Sequence, residues 1–274
     1  MLAKLLVEFL FRLTFGIALA MALIPAHLVS SGFFRVHLWV LMGLQTLAAL
    51  VLSGAGGVPI GRDASAAAAT MTVGGFSLPL WLAVLAAAAS YVGAVIWMYE
   101  RPRAGKTAIG LVAAWALAGS VLSSWSQAAG MGRLALTVAD QATAGLLLGS
   151  VTTAMLLGHW YLNAPTMKLD PLKRLVKLVG LSVALRGAVC LAGWGLAWHA
   201  AQTPWPPGSS VSLLLSLRVL AGIVGVGLLA GLTWQTLKVP NTQSATGILY
   251  AGVILAMLGE LTGQILSAQA TYPM

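Results

Sequence analysis

The sequence predicts an all-α integral membrane protein: one polytopic domain over residues 1–274, built as a bundle of eight transmembrane helices with both termini non-cytoplasmic. Three observations predict it. Hydrophobic residues fill 59% of the 274 positions and charged residues only 8%, whereas a water-soluble domain carries about 25% charged residues. The apolar stretches run unbroken for about 20 residues, the length a helix needs to cross hydrocarbon, and lack the alternation of a barrel strand. Lys and Arg gather in alternate loops. A bilayer offers no water to backbone N–H and C=O groups, so only helices and closed barrels span it.

The first apolar stretch, 5–27, has the look of a secretory leader, but Glu8 and Arg12 interrupt it and no A-x-A site follows. It reads as a retained helix. The second covers 36–54, and the Gly/Ala-rich GAGGVPIGRDASAAAATMTVGGFS then forms a long non-cytoplasmic loop over 55–77. The third and fourth cover 78–98 and 106–124; small residues dominate the fourth, and SSWSQ ends it. The fifth covers 134–161. The sixth, 171–199, opens on Asp170 as N-cap with Pro171 at the first helical position. The seventh and eighth cover 210–235 and 243–270. Small residues four apart (Gly145/Gly149, Ala221/Gly225, Gly227/Gly231, Gly259/Gly263) mark faces where helices approach closely. No internal repeat period is visible.

Orientation follows from the loops. Arg35 lies in the first, Arg101, Arg103 and Lys106 in the third, Lys168, Lys173, Arg174 and Lys177 around the fifth, and Lys238 in the seventh. The other side holds Lys4, Arg62 beside Asp63, Arg133 and the uncharged AQTPWPPGSS. Positive loops face the cytoplasm, which puts both termini outside and places the chain in a bacterial-type inner membrane as a multi-pass protein. The net charge of +9 is thereby a topology signal and does not point to nucleic acid. The single Cys190 excludes an internal disulfide and a cysteine-built zinc or iron–sulfur centre.

Ionisable residues at depth carry the functional signal, because each is costly unless paired or facing a cavity. Glu8 and Arg12 stand i, i+4 on the first helix, sharing a face. Arg186 lies mid-way along the sixth helix, Arg218 inside the seventh, and Glu260 within the eighth with Gln264 on its face; Asp140 and Gln141 lie at a similar level on the fifth. All fall in the outer half under this topology. Three arginines against two glutamates leave a positive excess suited to an anionic or carbonyl-bearing ligand. A polar cavity binding a quinone headgroup or carrying protons is one expectation, and ion pairs that only fix helix register are the other.

A second candidate lies at the cytoplasmic rim. His37 sits in GFFRVHLW, and His159, Tyr161 and Asn163 sit in GHWYLNAP. Aromatic belts explain much of this, yet an imidazole, a hydroxyl and an amide beside an aromatic wall can receive a quinone ring or a partner subunit. His37 and His159 would be the axial pair if haem b were bound, but both lie near helix ends and no helix carries two histidines, so haem b is not expected. No metal site, catalytic residue or catalogued enzyme motif is assigned. No mid-helix Gly-Pro break of the transporter kind is found.

Eight helices, outward termini, no large soluble segment and the Gly259-Glu260 step on the last helix resemble the quinol-interacting membrane anchors of the dimethyl sulfoxide and polysulfide reductase type. The resemblance implies an anchor that binds quinol and passes electrons to an attached iron–sulfur subunit. Only Glu260 carries over, as a quinol-site or proton-relay carboxylate. The resulting expectation is a membrane subunit of a respiratory or photosynthetic electron-transfer complex, quinone-binding or non-catalytic, in contact with the lipid bilayer and partner subunits. The alternatives are a proton-coupled or small-solute permease and a structural or assembly protein.

Overall fold

The computed structural model describes residues 2–54, 72–73, 76–124, 131–164, 167–200, 209–239 and 241–269. The helices are α1 (Leu2–Leu23), α2 (Ser31–Gly54), α3 (Leu78–Met98), α4 (Pro102–Ser124), α5 (Met131–Asn163), α6 (Asp170–Ala200), α7 and α8 (Thr242–Gln269). Helix α7 is composite: an α segment Ser209–Leu217, a π segment Arg218–Gly225 and an α segment Val226–Thr236. All eight are long and apolar enough to cross a membrane, and the chain is a multi-pass helical membrane protein on that ground. Of the long loop expected over 55–77, the structure describes a two-stranded hairpin, β1 (Thr72–Val73) against β2 (Phe76–Ser77), with Thr72 opposite Ser77. Arg62, Asp63, Pro165, Pro240 and residues 201–208 lie outside the described residues.

Packing divides the chain into two compact units, Met1–Gly130 and Met131–Met274. In the first, consecutive helices pack side by side and α4 returns to α1, closing a ring. A Cβ on Gly119 would collide with the Phe11 ring, and one on Gly105 with the Trp97 indole, so both positions need glycine for close helix contact. Lys106 closes the end of α1. Its ammonium donates to the carbonyls of Met21 at 3.1 Å, Ala22 at 2.5 Å and Ile24. The last carbonyls of a helix are short of N–H partners (that of Met21 also accepts from Ile24 N at 3.3 Å), and a cation there meets the negative end of the helix dipole. Beside it, Phe34 stacks on Trp97 with ring centroids 4.2 Å apart.

The second unit repeats the ring with α5, α6, α7 and α8, the last packing back on α5. Its tightest approach is between α7 and α8, where a Cβ on Gly222 would lie 2.7 Å from the Gly259 Cα. Of the small residues expected to mark such faces, Gly225 meets Leu255 and Gly227 meets Val183, but Gly231 has open space around it.

Candidate functional site: a buried charge network in the second unit

Among the described residues, each helix of the second unit contributes one charged residue to its interior: Asp140 from α5, Arg186 from α6, Arg218 from the first position of the π segment, and Glu260 from α8. All four are buried, with 1–3% of their surface exposed. Arg186 is the hub. Its Nε and Nη2 donate to the two carboxylate oxygens of Glu260 at 2.8 and 2.7 Å, a bidentate fork, and its Nη1 donates to Asp140 Oδ1 at 2.6 Å. Such forks are the strongest neutralising geometry available to a buried carboxylate. Thr143 adds its hydroxyl 3.4 Å from Nη1.

Arg218 is held differently. Its Nη1 donates to the Gly259 carbonyl at 3.0 Å and lies 3.7 Å from Glu260 Oε2, while Nη2 donates to the Cys190 thiol at 3.0 Å. Gly263 makes room for this guanidinium, since any Cβ there would overlap it. Among the described residues, Nε of Arg218 has no hydrogen-bond partner, and neither has either polar atom of the Gln264 amide, a residue only 3% exposed. Cys190 stands one turn from Arg186 on α6, and Gln264 one turn from Glu260 on α8.

Within this unit Asp140 joins the network, and two guanidinium groups meet two carboxylates. Glu8 and Arg12, read from sequence as part of the same cluster, are both buried on α1 of the first unit, and Glu8 lies 3.8 Å from Lys4 Nζ. Near them Gln45 donates to the Thr14 hydroxyl at 2.8 Å.

No family model, curated protein or solved structure matches this chain. The chemistry of the residues themselves carries the reading.

The rim candidates are distributed over both units. His37, buried on α2, has Nδ1 2.6 Å from the Phe33 carbonyl and its ring against Phe33. His159 and Tyr161 are on α5: the exposed His159 has Nδ1 3.3 Å from the Tyr250 hydroxyl of α8, and the buried Tyr161 donates its hydroxyl to the Lys168 carbonyl. Tyr161 thus ties the α5–α6 connection, and Asn163 is exposed at the end of α5. Among the described residues no three His, Cys, Asp or Glu side chains group as a metal site. Sequence reasoning missed the roles of Cys190 as a hydrogen-bond acceptor, Gly263 as the cradle of Arg218 and Lys106 as a helix cap. The i, i+4 spacing of Arg186 and Cys190 was the one available hint for the first.

Proposed function

We propose that this chain is a membrane subunit of an electron-transfer complex that binds a quinone headgroup in the second unit. The observation that carries the reading is a buried Arg–carboxylate network that, among the described residues of this unit, sets two guanidinium groups against two carboxylates. A neutral ligand preserves that balance, whereas a bound anion or cation would leave one charge uncompensated at low dielectric, which is strongly unfavourable. Quinones are neutral, enter from the lipid and present carbonyl oxygens to N–H donors. Reduction adds two electrons and two protons and yields a neutral quinol, so the balance holds on both sides of the reaction. Glu260 is the carboxylate for proton exchange, and taking a proton requires the Arg186 fork to release one of its oxygens. Electrons would come from redox centres on partner subunits, because one cysteine cannot build an iron–sulfur cluster here. Basic loops on one side orient both termini away from the cytoplasm in an inner membrane.

The test is purification in mild detergent, with solvent extraction for quinone and mass spectrometry of co-purifying chains. About one quinone per chain together with redox subunits is expected. A folded, quinone-free protein that copies no redox partner through purification would overturn the proposal. Solute flux in proteoliposomes that stops in Glu260→Gln would transfer the same network to a permease.

A further inference from the structure

The Nε–H and one Nη2–H of a guanidinium lie on one edge and point the same way, which makes that edge a two-pronged donor. In Arg186 this edge is filled by the two oxygens of Glu260. In Arg218 the same edge gives Nη2 to a thiol and leaves Nε with no partner, although the residue is only 2% exposed. A thiol sulfur is a weak acceptor, and an unsatisfied buried donor on a cation costs free energy. The edge therefore favours a better acceptor than the chain supplies. Next to the Gly263 cradle of this guanidinium, the Gln264 amide is buried with a free donor and a free acceptor.

The surroundings say what kind of acceptor fits. Among the described residues of this unit two guanidinium groups face two carboxylates, so a neutral oxygen suits the site. Cys190 is half-buried, and around it on α6 and α7 stand the apolar Leu191, Val219 and Leu220, 66%, 40% and 64% exposed. Gly187, one turn before Leu191 on α6, faces Ile223 of the π segment, whose Cγ2 would stand 3.8 Å from a Cβ there. The seam between α6 and the π segment is thus apolar and thinned by a glycine one turn from the thiol.

We propose that the Nε/Nη2 edge of Arg218, with the Gln264 amide, is a docking point for a neutral carbonyl oxygen that enters along this seam, displaces Cys190 Sγ from Nη2 and covers the thiol. This rests on the quinone reading for its favoured occupant, a quinone carbonyl; a lipid ester carbonyl has the same hydrogen-bonding chemistry. Gln264 Nε2 donates to a quinone oxygen, and its Oε1 accepts from a quinol hydroxyl.

The experiment measures Cys190 alkylation by N-ethylmaleimide in nanodiscs. Discs of ether-linked phosphatidylcholine lack ester carbonyls, and a fully substituted short-chain benzoquinone cannot add the thiol to its ring. Added quinone should slow alkylation about tenfold. The quinone concentration for half-protection should rise about tenfold or more in Arg218→Lys, which keeps the charge but not the fork, as it should on losing one hydrogen bond to a charged group. Gln264→Leu, which removes no hydrogen bond present in the fold, should weaken protection as well and stands in if Arg218→Lys does not fold. Protection by ester-linked lipid but not by quinone would uphold the docking edge and overturn the quinone function. Quinone retained by the wild-type protein with Cys190 alkylation unchanged, or protection indifferent to both substitutions, would overturn the docking edge and leave the quinone function standing.

Discussion

Replacing Glu260 by Gln isolates what charge balance contributes to the second unit. Glu260 takes two donors of Arg186 at 2.8 and 2.7 Å and lies 3.7 Å from Arg218. The amide preserves shape and one acceptor oxygen but leaves a positive charge in excess among residues 1–3% exposed. Removing one partner of a buried pair costs about 3–5 kcal/mol. Arg218→Gln leaves the opposite excess and costs a similar amount. The double variant is neutral again, with Arg186 and Asp140 still paired at 2.6 Å. Its loss should therefore fall short of the sum of the singles by about 2–3 kcal/mol, the upper range for directly coupled residues. Denaturant titration of the purified protein in mild detergent, followed by the fluorescence of its 10 tryptophans, gives all four corners of the cycle. Ordinary interhelical hydrogen bonds in a membrane contribute about 0.6 kcal/mol. Single losses of that size that simply add would refute the charge-balance reasoning.

Three further substitutions test local features by the same titration. Gly263→Ala should destabilise by about 1–3 kcal/mol through overpacking against Arg218, whereas Gly231→Ala, with nothing within 4 Å, should be neutral or stabilise by up to about 1 kcal/mol through helix propensity; equal effects would remove the cradle argument. Lys106→Met should cost about 1–3 kcal/mol by stripping the cap from the Met21, Ala22 and Ile24 carbonyls, and no change in midpoint would show that water replaces the ammonium without loss. Glu100, between α3 and α4, has φ 53°, a left-handed conformation that costs a side-chain-bearing residue about 1–2 kcal/mol. Glu100→Gly should accordingly stabilise the protein by about 1 kcal/mol, and a lowered midpoint would count against strain at that turn.

The spans were legible because an apolar solvent imposes length and composition on every crossing. The third was expected at 78–98, and α3 is Leu78–Met98. Two misplaced boundaries share a cause. The sequence pattern starts the second helix at 36 and the fourth at 106, but they begin at Ser31 and Pro102. Arg35 and Arg103 read as loop residues from sequence and are helical, whereas Arg101 does lie between helices. A charge at a membrane surface does not end a helix, and Pro102 at its start is a favourable first residue. Burial of Arg186, Arg218 and Glu260 was legible from their positions inside apolar runs. Their partnership was not, because Arg186 and Glu260 are 74 residues apart and no local pattern encodes which helices meet. The pairing of Asp140 with Arg186, 46 residues on, is illegible for the same reason.

The π segment is illegible too, since it holds no proline and the single charge at its start does not encode π geometry, and it bears directly on the site. A π turn inserts an extra residue into the helical ladder and commonly accompanies functional positions. Here it begins at Arg218, and one turn later Gly222 meets Gly259 backbone to backbone. That contact brings α7 and α8 together with no room for a Cβ on either glycine. It is this closeness that lets Arg218 reach the Gly259 carbonyl with Nη1 while its other edge turns toward Cys190 on α6. With a side chain at either glycine the two helices would stand further apart, and Arg218 would have to choose between α8 and α6. The glycine pair, the π turn and the half-filled guanidinium edge are therefore consequences of one packing arrangement, and the edge left incomplete by it is where a ligand oxygen gains most.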